Sequence, residues 1–117
     1  CATTGLAAAE VAALERFGLV EATTVAGATY YDTEAVTVAT LAGELGRYGI
    51  EPRHLRAYRN AVDREIGLVE QVVAPLLRQR NPAARQRAVE SAHELARLGE
   101  RLRSSLLRRE LRRQLGR

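Results

Sequence analysis

The side chains able to do chemistry are few and scattered. His54, His93 and Cys1 are the only imidazole and thiol groups, and they stand far apart in the chain. A structural zinc site draws on Cys and His at short, repeated spacings, and no CxxC or paired-His pattern is present. His54 lies between Arg53 and Arg56, where a lone imidazole serves the surface or local packing. His93 lies among Glu90, Glu94 and Arg97, at helical spacing for contacts three or four residues away. Neither histidine is accompanied by a nucleophile. Asp63, Glu65 and Glu70 offer carboxylates for acid–base work, but Arg59 and Arg64 sit so close that surface ion pairs are the expectation. No glycine-rich loop ending in lysine could cradle a triphosphate. The residues therefore predict no metal, no cofactor and no enzyme.

The remaining functional groups are arginines and tyrosines. All 18 basic residues are Arg, which stays charged and engages phosphate or carboxylate bidentately. They are unevenly placed. Residues 1–46 hold one Arg against six acids, a net −5, whereas residues 47–117 hold 17 Arg against eight acids, a net +9. Such asymmetry suits nucleic acid, an acidic partner or self-association. Arg53, Arg56 and Arg59 are candidate DNA phosphate contacts. The stretch 78–117, with twelve Arg and four acids, has no interleaved aromatic residue on which single-stranded bases would stack. Tyr30, Tyr48 and Tyr58 are candidates for a small-molecule effector pocket. For Tyr48 and Tyr58 the helical spacing favours a simpler place in the core, hydroxyls at its edge.

The elements that must position these groups are mostly helices. Ala7, Ala8, Val11 and Leu14 form the apolar stripe of a short helix over 7–17 that stops at Gly18, and Thr4 before Gly5 offers a cap upstream. The β-branched and aromatic residues at 19–31, with Gly27 between them, predict a small hairpin. Asp32 is placed to cap a helix over 33–48 with Val38, Leu41, Ala42 and Leu45 on its apolar face, closed by Gly49. Pro52 suits the first turn of a long helix, along which Leu55, Tyr58, Val62, Ile66, Val69, Val73 and Leu76 recur at steps of three or four. Pro75 predicts a kink near its end. Asn81-Pro82 then starts a last helix running to Leu115. The expected fold is mainly α: a winged-helix-like unit of short helices and a hairpin over 1–50, then two long helices over 51–117.

Three segments in this order carry a resemblance: TGLAAAEVAALERFGLVE (4–21), YYDTEAV (30–36) and LAGELGRYGIEPRHLR (41–56). Together they resemble the winged helix of the MerR class of transcription regulators. The longer stretch YGIEPRHLRAYRNAVDREIGLVEQVVAPLLRQRNPAARQRA resembles the region that follows the DNA-binding domain in actinobacterial FtsR-type members, which are implicated in controlling cell-division genes. The resemblance implies promoter DNA bound through an upstream domain absent from this chain, and a second, degenerate winged-helix-like unit here. Where the class carries Arg and Tyr in its recognition helix, this sequence has Ala12, Ala13 and Leu14, and its wing, EATTVAGAT, contains no Arg. Ala and Val supply neither phosphate contacts nor base-edge hydrogen bonds, so the unit is expected to have lost its base-reading surface.

The class usually dimerises through a C-terminal helix. Here Leu95, Leu98, Leu102 and Leu106 repeat at steps of three, four and four, a spacing that favours helix pairing and makes them the candidate homodimer interface. The sequence thus predicts a dimerisation and partner- or effector-sensing region of a regulator. Direct DNA binding through the arginine-rich helices and small-molecule binding stand as alternatives. No apolar run is long enough to span a membrane and no secretory signal is visible, so a soluble, cytoplasmic setting is expected. The start at Cys-Ala-Thr-Thr-Gly suggests a piece of a longer chain.

Overall fold

The computed structural model describes residues 8–116. Cys1 and the expected cap at Thr4-Gly5 lie outside them. The protein is mainly α. Its order is α1 (Ala8–Arg16), a hairpin of β1 (Thr23–Val25) and β2 (Ala28–Tyr30), α2 (Thr33–Gly46), a 3₁₀ turn (Pro52–Leu55), α3 (Arg56–Arg78) and α4 (Pro82–Leu115). The chain divides into two compact units, between Val62 and Asp63. Leu55, after the 1–50 unit expected from the sequence, is buried in the core of the first unit.

In the first unit, α1 ends where the Gly18 backbone N–H donates to the Glu15 carbonyl and Leu19 to Leu14. The antiparallel hairpin pairs Thr23 with Tyr30, Thr24 with Thr29 and Val25 with Ala28. Its turn residues, Ala26 and Gly27, have φ of 52° and 82°. Two consecutive positive φ values are what a tight turn matched to strand twist requires; Gly27 takes them freely and Ala26 under some strain. Asp32 caps α2 by accepting from the Ala35 N–H at 2.8 Å. Leu14, Val20, Ala35, Ala39, Ala42 and Leu55 form the core, with Leu19, Val38, Leu45 and Ile50 packed on it. The face of α2 that turns inward is therefore the alanine one. Leu41, expected inside, is 52% exposed.

Pro52 does not open the long helix directly. It opens a 3₁₀ turn fixed by a reciprocal cap: the Glu51 N–H donates to His54 Nδ1 at 2.9 Å, and the Glu51 side chain accepts from the His54 backbone. His54 is thereby a capping residue.

The hairpin is tied to α1 by the Tyr31 hydroxyl, which donates to Glu15. That bond, then partial burial, then the Glu15 charge hold the Tyr31 phenol above its ordinary value of 10.0. A raised folded-state value means the bond stabilises fully below about pH 10, and the contribution fades as pH rises through the raised value. The difference between alkaline absorbance titrations of wild type and Tyr31→Phe should isolate one phenol with a midpoint above 10. A midpoint at or below 10 would rule out the tether.

In the second unit, α3 continues through Pro75 for one further turn before the reversal at Gln79 and Arg80. Asn81 caps α4, accepting from the Ala84 N–H at 2.8 Å. Val73, Ala84 and Ala88 are its buried residues. Glu65 links the two helices: its carboxylate accepts from Arg103 Nη1 at 3.2 Å and lies under Gly99. A Cβ on Gly99 would stand 2.7 Å from Glu65 Oε1. Gly99→Ala must therefore push the flexible Glu65 side chain aside. The helical gain of Ala over Gly, about 0.8–1 kcal/mol, is comparable with or larger than a partly exposed ion pair, about 0.2–1 kcal/mol. Urea unfolding should show Gly99→Ala equal in stability or slightly above wild type, with a smaller salt dependence; a marked loss would mean that Glu65 cannot move.

Candidate interaction surfaces

Among the described residues each unit carries an open apolar groove. The first has a volume of about 560 Å³ and is lined by Leu19, Val38, Leu41, Leu45, Leu55 and Val62, with Tyr48, Tyr58, Glu44 and Arg59 among its polar members. It exists because α2 spends its small residues on the core and leaves Leu41 outside, with Tyr48 exposed in the turn that follows. Tyr48 is 87% exposed and Tyr58 61%. The expectation that both would close into the core is thus corrected: the spacing places them on one apolar surface, but nothing among the described residues covers it. Tyr30, the third effector-pocket candidate, is on β2, exposed, and is not among the residues lining this groove.

The second groove, of about 450 Å³, runs between α3 and α4 of the second unit. Leu68, Val69 and Val72 line one side and Leu95, Leu102 and Leu106 the other, with Glu65, Gly99 and Arg103 between. Leu98 is not in its lining but is exposed beside it, as are Leu102 and Leu106. Leu95 is half-buried. Further along α4, Leu107, Leu111 and Leu115 are also exposed. Polar side chains on α4 satisfy one another locally. Arg97 donates to Glu94, which holds the Glu94 carboxyl below and the Arg97 guanidinium above their usual values. Arg113 pairs with Glu110 at 2.8 Å. All four are exposed and contribute little. Of the neighbours expected around His93, Glu94 accepts from Arg97 and Glu90 from Gln86 Nε2 at 3.1 Å.

The candidate phosphate-binding arginines separate. Arg53 is engaged by Glu51 at 3.1 Å. Arg56 stacks its guanidinium on Phe17, 5.6 Å from the ring centroid. The Arg59 side chain passes beside Gly18. Arg16 also reaches the Phe17 ring, at 5.7 Å. Arg16 and Phe17 were missed from sequence, because adjacency to Arg56 is created only when α1 meets the start of α3. Among the described residues no group of three or more His, Cys, Asp or Glu could hold a metal, and no helix is long and apolar enough to cross a membrane.

Comparison with known proteins places these surfaces in context. The chain is 41% identical over 83 residues to the HTH-type transcriptional regulator Rv1828 of Mycobacterium tuberculosis, a match covering 71% of this chain and 34% of the relative. It is equally similar, over the same extent, to the HTH-type transcriptional regulator Mb1859 of Mycobacterium bovis. The match thus spans about a third of each regulator's length. The sequence profile of the Rv1828-like C-terminal domain matches residues 1–115, and the chain belongs to that family.

Proposed function

We propose that this chain is the C-terminal dimerisation and partner- or effector-sensing region of a MerR-like transcriptional regulator of the FtsR type, acting in the cytoplasm on cell-division genes, with promoter DNA bound by an upstream domain. The observation that carries the reading is the uncovered apolar face of the second unit. Its two helices bury only Val73, Ala84 and Ala88 against each other, while Leu98, Leu102 and Leu106 are each close to half exposed or more. A helix of 34 residues, about 50 Å long, gains most of its stability from packing an apolar face. A second copy supplies that packing with a self-complementary patch, and a two-fold dimer sets the spacing of paired DNA-reading domains.

The three sequence segments quoted above support the MerR-like and FtsR-type assignment, and the regulator names of the relatives support the regulatory role. The groove around Tyr48 and Tyr58 is the surface offered to a partner or effector. Light scattering across a dilution series tests the dimer. A mass of two chains that falls on dilution is expected; one chain at every concentration rejects it.

A further inference from the structure

Arg16, at the end of α1, and Arg56, at the start of α3, converge on one ring. Their guanidinium carbons lie 5.7 and 5.6 Å from the Phe17 centroid, inside the range of about 6 Å over which a cation is drawn to an aromatic face. The ring is half-buried and both arginines are exposed. Ring attraction orients a guanidinium while using none of its N–H donors. The ion pairs Arg53–Glu51, Arg97–Glu94, Arg103–Glu65 and Arg113–Glu110 draw on other arginines. The acids nearest in sequence are occupied, Glu15 by Tyr31 and Glu51 by Arg53. Each guanidinium so oriented keeps its N–H donors for an oxyanion, which it engages with a charge-assisted hydrogen bond.

We propose that Arg16 and Arg56, held on Phe17, form a seat for the phosphate backbone of duplex DNA. This rests on the regulator reading above, which puts a duplex within reach. The neighbouring surface favours backbone contact over base reading: Ala12 and Ala13 on α1 carry no side-chain donor or acceptor, and the hairpin over 23–30 has no Arg, Asn or Gln to pair bidentately with a base edge. Arg53 has no part in it, being taken by Glu51.

The test is anisotropy of a fluorescein-labelled duplex titrated with the full chain over a salt series, with mass followed in parallel by light scattering. Arg16→Gln/Arg56→Gln should weaken binding about tenfold or more and reduce the salt slope by about one to two, the signature of lost phosphate contacts. Phe17→Leu, which keeps an apolar side chain but removes the ring, should lower affinity in the same direction. Equal affinity and slope in the double variant would overturn the seat. So would absence of duplex binding, including a case in which inorganic phosphate alone perturbs the two arginines. A dimeric mass alongside either failure leaves the assembly reading standing, whereas a monomeric mass with intact binding removes that reading and keeps the seat.

Discussion

If the wild type forms the proposed dimer, a chain carrying Leu102→Glu is expected to behave as a monomer at the same concentration. Leu102 lines the groove of the second unit and is 62% exposed in the single chain. Burying a leucine of that exposure is worth about 1.5 kcal/mol or more, and two-fold symmetry counts it twice. Replacing it with a carboxylate forfeits that gain and adds the cost of an unpaired charge in an apolar contact. The sum exceeds roughly 3 kcal/mol, more than about a hundredfold in dissociation constant. Helix content by circular dichroism at low concentration should be unchanged, because Leu102 supports little within its own chain. Leu102→Met, close in volume, should retain the dimer. If the glutamate variant keeps the wild-type mass, the interface lies elsewhere.

Leu14→Ala should collapse the first unit. Leu14 is the only large side chain that is fully buried among the described residues. Its core neighbours include Ala35, Ala39 and Ala42, which have no length with which to refill the space. Leu-to-Ala changes in tight cores cost about 2.7–5.0 kcal/mol, the upper part of the range where the cavity cannot close. A unit this small has stability of that order to lose. Urea unfolding should show loss of the cooperative transition belonging to residues 8–62, together with loss of the Tyr31 alkaline shift. A change below about 1 kcal/mol would mean that this core is looser than the packing indicates.

What could be read from the sequence was what is local. Asp32 and Asn81 announce helix starts because a cap is a contact three residues long, and both cap as expected. The hairpin was legible from its β-branched residues and Gly27. The 3₁₀ turn was not, because it depends on a reciprocal bond between Glu51 and His54 that has no periodic signature. Tyr48, Tyr58 and Leu41 fall on an apolar stripe, and periodicity reports that a face is apolar without reporting whether the same chain covers it. The union of Arg16 with Arg56 over Phe17 was invisible for a related reason: it joins residues forty positions apart.

The exposure of Tyr48 and Tyr58 also gives the molecule an optical label of its own. The chain has four tyrosines and no tryptophan, so its near-ultraviolet emission comes from phenols alone. Tyr31 donates to a carboxylate, an arrangement that quenches phenol emission. Two of the remaining three line the groove of the first unit. Whatever settles there alters the light from half of the chromophores in the protein, and its arrival can be followed without attaching a dye.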